Sequence, residues 1–192
     1  MKKTTLIVST LLVAGIGLGS SILLRGQPGQ PSPKTRGAWV YKTDDPSKMA
    51  RDVETIVVAT FIGSHPGRVV PSSTGESSLS FELNDFTVED VVKGAIGRGP
   101  MTIERVAVSS SPDGPIAIDY DGGPYVPGTR YLLFVNQQPE SSFYYLVNDE
   151  GRYAVSDQRT LIASGDGAVA AALDGKSLSD ALTFVRAAAR VR

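Results

Sequence analysis

The sequence predicts a mainly β protein. It reads as a small antiparallel barrel with a short helix before it, an amphipathic helix after it and a membrane segment ahead of both. Three observations carry this expectation. Pro124–Val155 holds three short apolar runs separated by strong turn signals. Two earlier stretches, Thr55–Ile62 and Leu79–Val92, carry β-branched or alternating apolar patterns. Closing five such strands on themselves removes exposed sheet edges. Helical spacing takes over only after Asp157.

The chain starts with Lys2 and Lys3, then runs from Thr4 to Leu24 without a charge. About 20 apolar residues span a bilayer core. One expectation is a signal peptide cut after Gly19, where Gly17 and Gly19 supply small residues. The other is an uncleaved anchor, favoured because Ile22-Leu23-Leu24 continue the apolar run past that site. Either route carries the rest of the chain across a membrane. The Gly15–Gly19 spacing is the GxxxG of dimerising membrane helices, but so glycine-rich a run produces it by chance. Arg25–Gly37 has three prolines, three glycines and no aliphatic side chain. It reads as a linker, reaching about 40 Å at ~3.1 Å per residue in polyproline geometry. Residues 38–192 are then long enough for one domain with its own core.

Within that domain Trp39 and Tyr41 open the fold. Asp45-Pro46 is a helix start, with Asp as N-cap and proline at the first helical position. The helix is expected over Pro46–Asp52. Thr55–Ile62 is a buried strand. Gly63–Ser78, with its glycines, prolines, serines and the single histidine, reads as a loop. Leu79, Phe81 and Leu83 alternate with polar residues, and Phe86–Val92 continues that strand through a bulge or bend at Asn84-Asp85. Gly94–Pro100 is a turn and Met101–Ser109 a strand. Ser110–Gly123 is a loop holding a small strand at Ile116–Ile118. Pro127-Gly128 suits the centre of a type II turn, where glycine takes the positive φ. Arg130–Val135 is apolar at nearly every position, which predicts burial on both faces and a central place in the sheet. Asn136–Ser142 is a polar loop. Phe143–Val147 and Arg152–Val155 form a hairpin around Asn148–Gly151, with Gly151 in the left-handed position. Near the end, Ser177 and Asp180 make a capping box. Leu178, Ala181, Leu182, Val185 and Ala189 share one helical face, with Arg186, Arg190 and Arg192 at its C-terminal end.

Composition narrows the function classes. Lys and Arg total 19 against 20 Asp and Glu, for a net charge of -1. So balanced a chain lacks the basic footprint of a nucleic-acid binder. The absence of cysteine excludes disulfides, thiolate zinc sites, cysteine nucleophiles and a lipid-modified cysteine.

A resemblance rests on four stretches: Ala59–Gly63 (ATFIG), Phe86–Gly94 (FTVEDVVKG), Pro127–Val135 (PGTRYLLFV) and Gly151–Val155 (GRYAV). Together they resemble bacterial exported proteins with an OB-like barrel, of the kind found in tissue inhibitors of metalloproteinases and netrin-type modules. The likeness covers about Asp52–Asp157. It implies the OB-like fold and little about activity. Those inhibitors place a free N-terminal cysteine on a protease zinc. This chain has none, so that route does not carry over.

The chemistry-bearing residues are few. His65 sits in Ser-His-Pro-Gly with no nucleophile at motif spacing, and the sequence has no G-x-S-x-G, H-E-x-x-H or P-loop. Asp119-x-Asp121-Gly122 with Asp113 offers oxygen ligands suited to calcium, but no glutamate closes the loop as an EF-hand requires. Gly94, Gly97 and Gly99 do not match a dinucleotide fingerprint. No catalytic residue, metal site or cofactor is therefore expected. The expected function is a membrane-tethered or secreted, non-enzymatic interaction module whose partner is a surface protein or polysaccharide. The alternative is a protease inhibitor or enzyme-regulating domain acting through its barrel loops.

One outcome follows directly. Intact mass and N-terminal sequencing of the native protein should find Thr4–Leu24 retained; a mature chain beginning at Ser20 would replace the anchor with a secreted domain.

Overall fold

Tyr131–Val135 meets the expectation of burial on both faces: Leu132, Leu133 and Val135 have no accessible surface at all. The computed structural model describes residues 34–36, 41–112, 114–119 and 123–190. The expected membrane segment Thr4–Leu24, residues 25–33 of the expected linker, Gly37, Trp39, Asp113, Asp121, Gly122 and Arg192 lie outside these residues. No helix among the described residues is long and apolar enough to cross a membrane.

In chain order the elements are β1 (Lys34–Arg36), α1 (Pro46–Asp52), β2 (Thr55–Pro71), β3 (Ser78–Lys93), β4 (Gly99–Ser111), β5 (Gly114–Asp119) and β6 (Arg130–Gln137). There follow β7 (Tyr144–Leu146), a 3-10 turn at Asp149–Gly151, β8 (Arg152–Val155), β9 (Leu161–Ala163), α2 (Ala168–Leu173) and α3 (Leu178–Arg190). The fold is mainly β, as the sequence predicts. β1, read as the end of the linker, runs parallel to β5 with Arg36 in register with Asp119.

The sheet runs β1-β5-β4-β3-β2-β6-β8-β9. β7 turns part of it into a ring. It pairs antiparallel with β6, Leu146 beside Val135, and parallel with β4, Tyr144 beside Ile103. β2, β3, β4, β7 and β6 therefore close on one another. Val57, Ala59, Phe61, Phe86, Met101, Ile103, Leu133 and Val135 fill this ring. The alternate residues of β2 and β6 point the other way. Ile56, Val58, Leu132 and Phe134 pack with Met49 and Ala50 of α1, Val169 and Leu173 of α2, and Leu178, Ala181 and Val185 of α3. Two cores thus share two strands, which explains why TIVVA and YLLFV are apolar without alternation.

α1 has the bounds and cap its sequence predicts: Asp45 accepts from Ser47 N at 2.8 Å. Its C-terminal carbonyls are held from a distance. The Lys93 ammonium donates to Ala50 O at 3.1 Å and also to Arg51 O and Val53 O. Gly94 follows at φ 103°, where an added Cβ would meet Thr55 Oγ1 at 2.7 Å. The Lys-Gly pair of the FTVEDVVKG stretch thus serves helix capping and close packing. At the far end Ser177 caps α3, its hydroxyl accepting from Asp180 N at 3.1 Å and donating to the Asp180 carboxylate at 2.7 Å. Arg186 ties the same helix to Asp90 of β3 at 2.8 Å.

Three expectations are corrected. Gly63–Ser78 is not a loop: β2 continues to Pro71, paired along β3 as far as Ser78, and only Ser72–Ser77 turns. Its prolines are tolerated because, among the described residues, this half of β2 has β3 on one side only. An edge position needs no outward N–H. The bulge expected near Asn84-Asp85 is Ile62 on the opposite strand, one of four register shifts in the β2–β3 pairing, another being at Gly67-Arg68. Finally, β7 and β8 form no hairpin. Both pair with β6, and Gly151 does not adopt positive φ. Glycine is required there by space, since a Cβ would lie 3.2 Å from Phe134 O and 2.9 Å from Val147 Cγ1.

The preceding Glu150 explains the turn better. Its carboxylate accepts from Val169 N at 2.9 Å and Ala170 N at 3.0 Å, satisfying the first amides of α2. Any Cβ on Gly167 would collide with that carboxylate. β9 and α2 carry no local signal in the sequence. Their short runs, LIA and AVAAAL, are too brief to show a period.

Two stability measurements follow. Phe134→Ala, which opens a void between the sheet and the helices, should cost about 3–5 kcal/mol in denaturant unfolding. A neutral result would refute the two-core arrangement. Glu150→Ala should cost about 1–2 kcal/mol by uncapping α2, and Glu150→Gln should recover part of it. Equal losses in both variants would place the effect elsewhere.

Candidate functional site

His65 stands on β2 rather than in a loop. Its Nε2 lies 3.1 Å from Asp85 Oδ2, with both side chains about half exposed. Thr102 donates to the other oxygen of the same carboxylate at 2.8 Å. The hydroxyl therefore serves the aspartate and not the imidazole, so a nucleophile–base–orienter sequence is not assembled. The arrangement is a surface pair across two strands, of a type contributing about 0–1 kcal/mol. Of the aspartates considered for calcium, Asp119 ends β5, while Asp113, Asp121 and Gly122 lie outside the described residues. No group of three His, Asp or Glu able to hold a metal occurs among the described residues. Gly94 and Gly99 adopt φ 103° and 124° in the β3–β4 connection. A strand follows them, so they offer no helix N-terminus to a phosphate.

A concave feature lies elsewhere. A groove of about 620 Å³ is lined by Glu54, Gln137, Gln138, Pro139, Glu140, Ser141 and Ser142. It is built where the β6–β7 loop crosses the start of β2. Glu54 and the end of β6 hold each other reciprocally. Glu54 N donates to Asn136 Oδ1 at 2.8 Å, and Gln137 N donates to Glu54 Oε2 at 2.9 Å. The loop then closes on itself. Gln138 N donates to Phe143 O at 2.9 Å, Gln137 Nε2 to Ser141 O at 2.9 Å, and Phe143 N to Ser141 Oγ at 3.0 Å. Glu140 takes φ 59° at the outer bend.

A buried carboxylate fastens this loop to the sheet. The Glu104 side chain on β4 is 1% exposed. Arg68 reaches it across β3 with a two-pronged contact, Nε at 2.9 Å and Nη2 at 2.8 Å, while its guanidinium lies 4.8 Å from the Phe81 ring centre. Gln138 Nε2 donates to the same carboxylate at 2.7 Å. A fork of this kind is pre-organised and suits a carboxylate held in place. Sequence reasoning misses this arrangement, because its members are more than 30 positions apart. The nearest local signal is the pair of adjacent amides at Gln137-Gln138 in the polar Asn136–Ser142 stretch.

The groove's lining decides what it can do. It offers two carboxylates, two amides and two hydroxyls, and none of its seven lining residues is basic. Its serines and carboxylates are not hydrogen-bonded to one another: Ser141 Oγ accepts from Phe143 N and Glu54 Oε2 from Gln137 N, and the lining has no cation to meet a phosphate. It is suited to hydrogen-bonding a neutral or cationic polar partner.

Inside the ring, Tyr125 packs edge-on against Phe86 and Tyr131, at 4.9 and 5.2 Å between ring centres. The Arg152 and Arg105 guanidiniums lie 4.7 and 5.5 Å from its own ring centre. Burial raises the Tyr125 phenol to about 12, with the two arginines opposing. Its hydroxyl lies near Arg152 but has no hydrogen-bond partner among the described residues. Burial also raises the Tyr153 phenol, whose hydroxyl donates to Val169 O at 2.9 Å.

In comparisons with protein-family models, curated proteins and solved structures, nothing matches this chain.

The two tyrosines give a pH test. A phenol raised above its unfolded value of about 10 stabilises the fold fully below that pH. The contribution is lost as pH rises through the folded value, which for Tyr125 is about 12. Alkaline unfolding should therefore set in between about pH 10 and 12, with part of the tyrosinate absorbance appearing together with it. Tyr125→Phe should leave stability within about 0.5 kcal/mol, because the lost hydroxyl has no hydrogen-bond partner among the described residues. Tyr153→Phe should cost about 0.5–1.5 kcal/mol. The reverse order would overturn the assignment.

Proposed function

We propose that this chain is a non-enzymatic binding module, carried across a membrane and tethered to it, which recognises a polar surface partner through the β6–β7 groove. The groove's composition carries the reading. Hydrogen-bonding groups and two carboxylates converge there.

The strand order supports an OB-like reading of the ring. In chain order its members are β2, β3, β4, β6 and β7, and in space they run β2-β3-β4-β7-β6. OB barrels are five-stranded and partly open, and they bind oligonucleotides and oligosaccharides on one sheet face and on the loops joining strands one to two and four to five. Counted along this ring, the β6–β7 loop joins the fourth and fifth strands. The groove therefore sits where such barrels hold ligands. Its chemistry favours a saccharide over a nucleic acid, since Glu54 and Glu140 would repel phosphates. A polysaccharide of the cell envelope is the partner class that fits best.

The test is direct. Purified protein is titrated calorimetrically with soluble envelope polysaccharide fractions. Ser142→Tyr, placed on the exposed rim, should weaken the binding at least tenfold while leaving the unfolding midpoint unchanged. No binding to any fraction, or equal binding by the variant, would remove the groove from consideration. Recovery of a single protease in a one-to-one complex would move the reading to the inhibitor.

A further inference from the structure

We draw no further inference here: the strongest candidate, the exposed outer edge of the sheet extension around Ile62, Val69 and Val70 on β2, carries nothing because the structure does not show what covers it.

Discussion

The fold depends on burying Tyr131–Val135 from both sides. Leu133 and Val135 face into the ring, while Leu132 and Phe134 face the helices. Neither core can form without β6. Hydrogen bonds bind it to β2 along one side and to β7 and β8 along the other, so its backbone groups are satisfied at the centre of the sheet. A strand so placed must be apolar at consecutive positions. β2 shares the burden over Thr55–Phe61, then continues as a largely exposed edge. One strand thus changes character along its length, as the layers around it change.

Charged groups do their structural work over long distances. Lys93 closes the end of α1, Glu150 opens α2, and Glu104 pins the β6–β7 loop. In each case one ionised group meets several partners at once. Multiple hydrogen bonds offset the cost of removing a charge from water. Burial lowers the Lys93 ammonium from its usual range, and Asp52 opposes that shift. The three carbonyls around it are ends of a helix, where a cation is favoured. Arg68 remains 57% exposed while its partner is almost fully covered. The pair is thus screened on one side, and it positions the loop more than it stabilises the whole fold.

Holding the loop bears on the binding proposed for the groove. The groove residues lie on a short connection that could otherwise adopt many shapes. Its own hydrogen bonds and the Glu104 anchor fix the direction of Gln137, Gln138 and Ser141 before any partner arrives. Ordering these groups in advance reduces the entropy lost on binding. The loop is thus tied to the sheet at Gln137 and Gln138 and exposed at Glu140.

The sequence by itself determined the local elements. The Asp45-Pro46 start, the Pro127-Gly128 turn with Gly128 at φ 78°, the Ser177–Asp180 cap and the apolar run of β6 are all short-range signals, and each appears where it was expected. The mainly β class followed from them. The tertiary structure alone decided that β2 continues through a proline- and glycine-containing stretch. Pairing with β3 overrides a local turn preference, and an edge makes the prolines tolerable. It alone decided that Glu150 caps a helix instead of completing a hairpin, because the amides it meets are 19 and 20 positions away. The groove was illegible for the same reason. Glu54 and Gln137 are 83 positions apart, and no periodicity of 2 or 3.6 residues can express a contact at that separation.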